Sequence, residues 1–290
     1  MSITTCSDDL KNYTPLYRAL NDPRYSRRDF IVEIEKQLGC ELVVYMGFNL
    51  PIIPDDIAPF QDLLYKINYN SKIGLLIYSN GGVIDAAEKL AKMIRNVTGN
   101  EEFIVVVPEK AKSAATLLAL TADRILMGDT SELGPIDPQI PIYTRNGVIY
   151  RPAFSIIDTI KKINAEGKLN PAYLPMLDNL DLAVIDIAEK AVSRTERCAY
   201  EWLAKCMLKN NKTKAKKIAK DLSDDKKWLS HGYAIDHKDA KNMGLAVDYR
   251  RKDDPSWELI WRLFVSYLPL RNQVGKVFES KHSFLPFSNQ

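Results

Sequence analysis

Two turns in the middle of the chain carry residue types that could support nucleophilic chemistry. Gly81 and Gly82 follow the apolar segment Leu75–Tyr78, and Ser113 follows a second apolar segment, Phe103–Val107. A helical pattern comes after each turn, so the sequence predicts two consecutive strand–turn–helix units. In an open α/β sheet, ligands bind at the carboxyl ends of the strands. We therefore expect the Ser113 hydroxyl and the glycine N–H groups to face one crevice.

These residue types suit acyl transfer. A serine hydroxyl can attack a carbonyl carbon, and backbone N–H groups at a helix N-terminus can hold the oxyanion that forms. A simpler explanation fits the same residues, because serine is a common helix N-cap and Gly-Gly is a common turn. Short motifs of this kind have weak specificity. The local pattern alone therefore leaves both interpretations of Ser113 open.

The order of these segments resembles that of the Clp protease proteolytic subunit and signal peptide peptidase A, which share the ClpP/crotonase fold. The stretch Lys112–Ile140 is most similar to the serine dehydrogenase proteinase family, and it reads KSAATLLALTADRILMGDTSELGPIDPQI. The resemblance covers roughly Glu41–Asp248. It implies an α/β fold, a repeated β-β-α spiral with helices on both faces of the sheet and additional C-terminal helices. It also implies that Ser113 is the nucleophile and that the N–H groups of Gly82 and Ala114 form the oxyanion hole.

The resemblance also bears on the base that would take the proton from Ser113. The chain has three histidines, His231, His237 and His282. Asp137 stands where the Clp pattern has its histidine, and His231 stands near the position of the Clp aspartate. We predict a Ser113–His231–Asp137 triad, in which His231 is the general base and Asp137 orients the imidazole. Triads with different chain orders have the same geometry, and an ordinary histidine titrates close to neutral pH.

Signal peptide peptidase offers an alternative base, because its pattern is a Ser–Lys dyad. Lys161 and Lys162 lie at the corresponding distance after Ser113. A lysine base must be desolvated to lose its proton near neutral pH, and the isoleucines around this pair make a partly apolar setting possible. A lysine pair is more often the solvated face of an amphipathic helix. At this point the base can be His231, Lys161 or Lys162, or a residue that the sequence does not identify.

The resemblance and the element pattern divide the chain into an N-terminal helical segment (1–40), a ClpP/crotonase-like catalytic domain (41–250) and a C-terminal helical tail (251–290). Ser26 is predicted to cap a helix that ends near Gly39. The apolar stretch Trp257–Leu270 is expected to pack on the core or to form a subunit contact.

Composition limits the remaining possibilities. The 290 residues have a net charge of +3, which is too small to indicate binding to nucleic acid. The four cysteines form no paired motif, so we expect cytosolic thiols, no metal and no cofactor. Neither a signal peptide nor an apolar run of spanning length is present in the sequence, so we expect a cytoplasmic protein without a membrane span. The resemblance implies a homo-oligomer.

These residues are compatible with three functions. The leading hypothesis is a serine peptidase that acts on a peptide or protein substrate through an acyl-enzyme on Ser113. The second is a crotonase-like acyl-CoA hydratase or hydrolase, in which Glu132 or Asp137 would do the acid–base chemistry. The third is a catalytically inactive scaffold with the same fold.

Overall fold

The computed structural model describes residues 14–144, 147–165 and 183–288. Its internal contacts divide the chain into two compact units. The first unit runs to Leu133 and resumes at Ala234, and the second unit is Gly134–Tyr233.

Strands and helices alternate along much of the described chain. The strands are β1 (Glu41–Gly47), β2 (Ile73–Tyr78), β3 (Phe103–Val107), β4 (Lys110–Ala111), β5 (Arg124–Met127), β6 (Glu132–Leu133), β7 (Gln139–Thr144), β8 (Gly147–Pro152), β9 (Val247–Tyr249), β10 (Lys276–Ser280) and β11 (Phe284–Phe287). The α-helices are α1 (Pro15–Leu38), α2 (Ile57–Leu64), α3 (Ile84–Thr98), α4 (Ala114–Ala119), α5 (Ala153–Ala165), α6 (Ala183–Lys205), α7 (Lys212–Ser223), α8 (Asp225–Trp228), α9 (His237–Met243) and α10 (Pro255–Tyr267).

The first unit is built on a mainly parallel sheet. Within the described residues this sheet has seven strands in the order β11–β10–β1–β2–β3–β5–β9. The pairs from β1 to β9 are parallel, whereas β10 and β11 join antiparallel at the β1 edge. The predicted α/β class is confirmed.

The strands around the two predicted turns follow a β-β-α order. β3 is followed by the short β4 and then by α4, and β5 is followed by the short β6. β4 and β6 pair in parallel, with Lys110 opposite Glu132 and Ala111 opposite Leu133. An isolated bridge joins Ser79, directly after β2, to Ala111. The carboxyl ends of β2, β3 and β5 are therefore tied together where the two turns lie.

Both faces of the sheet are covered. On one face, Leu42, Val44 and Met46 of β1 pack in a cluster with residues of α1 and α10. The intervening residues Val43 and Tyr45 point to the other face and are also fully buried. Strands that are buried on both faces have no polar alternation, which explains the continuous apolar segments in the sequence.

The N-terminal helix is longer than predicted. It begins at Pro15, so Ser26 lies inside α1 and is not its N-cap, and it ends at Leu38 with Gly39 in the left-handed conformation at φ +64°. The prediction failed because Pro23 lies within the helix. A proline in a helical pattern normally indicates a boundary, since it lacks the N–H that the helix needs.

The C-terminal segment is only partly helical. α10 buries Trp257, Ile260 and Phe264 in the core of the first unit, in agreement with one of the two roles expected for this apolar stretch. Beyond it lie two strands that the prediction of a helical tail over 251–290 did not include. Lys276 and Glu279 give β10 a polar sequence, yet both are buried with charged partners. Because of these two charged residues, the sequence pattern did not indicate a buried strand here.

Asp254 caps α10 and contributes to stability in a pH-dependent way. Its carboxylate accepts hydrogen bonds from the N–H groups of Ser256 (2.8 Å) and Trp257 (3.3 Å) and from the Arg250 guanidinium (3.1 Å). Burial alone would raise the pKa of Asp254, but these hydrogen bonds outweigh burial and lower the pKa to about 2. A folded-state pKa below the unfolded value stabilises the protein above about pH 4, and this stabilisation is lost as the pH falls towards about 2.

We therefore predict that Asp254→Asn lowers the free energy of unfolding by about 1–2 kcal/mol at neutral pH. The difference from the wild type should shrink between about pH 4 and about pH 2, because the wild-type carboxylate is protonated over that range. Urea unfolding followed by circular dichroism measures both values. Asp253→Asn is the matched control, because the Asp253 side chain is 66% exposed. A difference that stayed constant down to about pH 2 would contradict the role of the ionised cap.

The second unit contains a hairpin and four helices among its described residues. β7 and β8 pair antiparallel and form this hairpin, and Arg145 and Asn146 of its turn lie outside the described residues. Ile140, Ala153, Ile157 and Ala188 form one buried apolar cluster of this unit. In the part of the chain that the structure describes, no helix is both long and apolar enough to span a membrane.

Candidate active site

Ser113 lies at a sharp turn between β4 and α4. Its backbone has φ +51° and ψ −118°. Among the described non-glycine residues, positive φ occurs only here and at Asn70 and Leu229. Such a conformation costs about 1–3 kcal/mol in a residue with a side chain, and it persists only where the surrounding structure enforces it. Strained residues of this kind are concentrated at functional sites.

The Ser113 hydroxyl is not used to cap the following helix. Ser113 occupies the N-cap position of α4, but its side chain accepts no hydrogen bond from the first turn of that helix. The side chain is partly exposed, whereas Ala114 and the residues after it are buried. Ser113 therefore does not act as an ordinary side-chain helix cap, and the residue is partly exposed.

The two turns are in direct contact. A Cβ atom added to Gly81, which has φ +99°, would lie 2.8 Å from Cβ of Ser113 and 2.7 Å from the carbonyl oxygen of Lys112. Only glycine fits at this distance, since real Cβ atoms do not approach other atoms so closely. The glycine turn and the serine turn meet at one corner, as their positions after neighbouring strands predict.

Gly82 is held from its other side by Ile52. The N–H of Ile52 donates to the carbonyl of Gly81 (2.8 Å), and the N–H of Val83 donates to the carbonyl of Ile52 (2.8 Å). This pairing leaves the N–H of Gly82 without an acceptor among the described residues, and the same holds for the N–H of Ala114. Two unpaired backbone donors flank the contact between the turns, which is the donor set that an oxyanion requires.

Polar side chains that sequence reasoning missed fix this corner. Ser79 accepts a hydrogen bond from the N–H of Gly81 at its Oγ (3.0 Å), and its carbonyl accepts one from the N–H of Lys112 (3.0 Å). The Lys112 ammonium is buried and lies 2.9 Å from Glu132 and 3.2 Å from the carbonyl oxygen of Leu133. The serine two residues before a glycine turn was an available signal for Ser79.

The strained turn leads to a prediction about stability. Ser113→Gly should raise the free energy of unfolding by about 1 kcal/mol relative to Ser113→Ala, because glycine adopts positive φ without steric cost. The two variants differ from each other by a single methyl group, so thermal or urea unfolding compares them directly. At Ser155, inside α5, the same pair of substitutions should give the opposite sign by about 1 kcal/mol. Equal stability of the two Ser113 variants would mean that the turn stores no strain.

In the second unit, the structure brings together two residues that are far apart in sequence. Nδ1 of His231 lies 2.8 Å from Oδ1 of Asp137. The Asp137 side chain is 2% exposed and the His231 side chain is 32% exposed. Oδ2 of Asp137 accepts a further hydrogen bond from Gln139 (2.7 Å). An ionised carboxylate can only accept, so a neutral imidazole that donates to it would do so through Nδ1 and would keep Nε2 as a proton acceptor.

The other base candidates have different surroundings. His237 stacks on the Tyr249 ring with centroids 4.0 Å apart. His282 follows β10, and burial together with the nearby Lys281 lowers its pKa. Neither ring is hydrogen-bonded to a carboxylate within the described residues. Lys161 and Lys162 are exposed on α5 and have none of the burial that a lysine base needs.

Comparison with known proteins assigns the family. The model of the ClpP-like SDH-type serine proteinases matches residues 56–274. This chain belongs to that family. Two uncharacterized proteins of Methanocaldococcus jannaschii are similar to it. One is 34% identical over 237 residues, which cover 80% of this chain and 72% of the relative. The other is 30% identical over 229 residues, which cover 75% of this chain and 70% of the relative.

Two solved structures are also similar to this chain. One is a serine-to-alanine mutant of the 1510-N membrane-bound stomatin-specific protease, with a TM-score of 0.45 and 15% identity over 73% of this chain and 80% of that chain. The other is a lysine-to-alanine mutant of the same protease in complex with a substrate peptide. It has a TM-score of 0.37 and 16% identity over 78% of this chain and 98% of that chain.

Proposed function

We propose that this chain is a serine endopeptidase, which hydrolyses peptide bonds through an acyl-enzyme on Ser113. The observation that carries the proposal is the corner at Ser113. There a strained, partly exposed serine contacts Gly81 and keeps its hydroxyl out of the helix cap. The family match adds the reaction class.

In the proposed reaction, Nε2 of His231 accepts the hydroxyl proton of Ser113 while Oγ forms a bond to the peptide carbonyl carbon. The negative charge moves onto the carbonyl oxygen, and the N–H groups of Gly82 and Ala114 stabilise it. The carbon–nitrogen bond then breaks, and His231 returns the proton to the leaving amine. A water molecule hydrolyses the acyl-enzyme by the same steps, with His231 again as base.

Asp137 acts on the histidine in this scheme. Its buried carboxylate holds the imidazole in the tautomer that presents Nε2, and it stabilises the imidazolium that forms when the proton is accepted. The hydrogen bond from Gln139 keeps the carboxylate in one orientation. This support is why we propose His231 over Lys161 and Lys162.

No described contact favours a crotonase-like hydratase, because the carboxylates it would use are engaged. Glu132 is paired with the Lys112 ammonium, and Asp137 is paired with His231. A cytoplasmic location and a homo-oligomeric assembly stay predictions.

The proposal is tested with a fluorophosphonate probe, which forms a covalent bond only with an activated serine. We expect the wild type to be labelled and Ser113→Ala to lose the label entirely. Ser155→Ala is the matched control, because Ser155 is exposed on α5 and should keep wild-type labelling. Mass spectrometry of the labelled peptide identifies the modified residue. A label on another serine, or none on the folded wild type, would overturn the assignment.

A further inference from the structure

The backbone of residues 51–53 is in direct contact with Gly82, whose N–H is the proposed oxyanion donor. A Cβ atom added to Gly82 would lie 2.3 Å from the carbonyl oxygen and 2.4 Å from the nitrogen of Ile52. Ile52 is fully buried and is bound by hydrogen bonds to the residues on each side of Gly82. Any shift of this segment therefore changes the direction of the Gly82 N–H.

A buried ion pair fixes the peptide groups on both sides of Ile52. The Lys276 ammonium lies 2.5 Å from Oδ1 of Asp56 and donates to the carbonyl of Pro51 at 2.7 Å. Oδ2 of Asp56 accepts from the N–H of Ile53 (3.1 Å) and from the Tyr45 hydroxyl (2.8 Å). The side chains of Lys276 and Asp56 are 2% and 4% exposed. Each partner of the pair therefore holds one neighbour of Ile52.

We infer that Lys276 and Asp56 are positioning residues, which act through Pro51–Ile53 to orient the Gly82 N–H toward the reacting carbonyl. This inference rests on the proposed function for its catalytic consequence, but the positioning itself does not. A buried ion pair is seldom more stable than apolar residues of the same volume, so stability alone gives little reason for one here. Burial lowers the pKa of Lys276, and the Asp56 carboxylate opposes this effect.

The structure provides a matched pair that lacks this connection. Arg27 lies 2.7 Å from Glu279, and their side chains are 3% and 1% exposed. Glu279 lies on β10, as Lys276 does, but its partner Arg27 packs between the rings of Tyr267 and Phe284. Loss of either pair removes two buried charges, one of them from β10. Only the pair of Lys276 with Asp56 binds the segment that contacts Gly82.

The positioning is tested first without any chemistry. The double variant Lys276→Met/Asp56→Leu removes both charges together, so no buried charge is left without a partner. In hydrogen exchange resolved by residue, the amides of Ile52 and Val83 should lose protection by about tenfold or more. Arg27→Met/Glu279→Leu is the control and should keep their protection. Equal protection of these amides in the two double variants would overturn the inference, whether or not Ser113 is reactive.

The consequence for the reaction is tested with the fluorophosphonate probe. At saturating probe, labelling of Ser113 should slow by about 10–100-fold in the first double variant, because a misplacement of about 1 Å is enough for such a loss. The probe concentration that gives half-maximal rate should stay within about twofold, since the oxyanion donor acts on the transition state. The control variant should keep the wild-type rate per folded molecule.

The outcomes separate the two proposals. If both double variants slow equally, the pair only stabilises the fold and the inference is wrong, while the role of Ser113 stands. If the wild type is never labelled at Ser113, the proposed function is wrong, and the exchange experiment still decides whether Lys276 and Asp56 hold the corner. Tyr45→Phe, which keeps the ion pair and removes one hydrogen bond to Asp56, should give a smaller loss of protection in the same direction.

Discussion

Replacing His231 by alanine is expected to slow the reaction of Ser113 with a fluorophosphonate by about 10³–10⁴-fold. A serine hydroxyl is a weak nucleophile until a base accepts its proton, and His231 is bound through Nδ1 to a buried carboxylate. Asp137→Asn should produce a loss of similar size, because an amide at this position can bind the other tautomer and turn Nε2 into a donor. Labelling rates measured at a fixed pH give both values.

Three other substitutions serve as controls for the base. His237→Ala removes a histidine that stacks on Tyr249 and should leave labelling unchanged. Lys161→Ala and Lys162→Ala remove exposed lysines and should also react at the wild-type rate. A large loss in either lysine variant, together with full reaction of His231→Ala, would replace the histidine with a lysine base.

Gly82→Ala is expected to lower the labelling rate by about 10²-fold or more and to lower the melting temperature. Gly82 has φ +151°, and the added methyl would lie 2.3 Å from a backbone oxygen of Ile52. Since a backbone atom cannot rotate away, either the glycine turn or residues 51–53 must shift. The N–H that we assign to the oxyanion moves with the glycine turn.

Gly39→Ala is the control that separates the effect of a strained φ angle from the effect of displacing the neighbouring backbone. Gly39 also has positive φ, at +64°, but an added Cβ would meet no atom within 4 Å. This variant should lose about 1 kcal/mol of stability and keep its labelling rate. If Gly82→Ala kept wild-type labelling, the oxyanion assignment would be wrong, and labelling rates with unfolding curves for both variants decide between these results.

The sequence predicts best those elements whose pattern of apolar residues matches their burial. The strand Phe103–Val107 has the predicted bounds, and the helix predicted after the turn at Gly81 and Gly82 spans Ile84–Thr98. Their apolar residues face the core, so the pattern reports the burial. The elements that the sequence did not predict contain residue types that are unusual at their structural positions. Pro23 lies within a helix, and Lys276 lies in the core.

In the candidate site, the side chains were more predictable from the sequence than the backbone contacts. Ser113 and Gly82 stand in recognisable motifs, and the resemblance pointed to Asp137 and His231, which are in hydrogen-bond contact; the roles of these residues stay predictions. The contribution of Ile52 was not predictable, because it acts through its N–H and carbonyl. Every residue except proline has both groups, so the residue type at position 52 does not indicate this role.

The two antiparallel strands at the β1 border also affect how copies of the chain can associate. Without β10, the backbone groups of β1 that now pair with it would form an open sheet edge, and such edges recruit strands from other molecules. Among the described strands β11 takes the outermost position instead, and it contains Pro286, which has no N–H to offer to a further strand. The last strand thus protects the sheet from edge-to-edge aggregation.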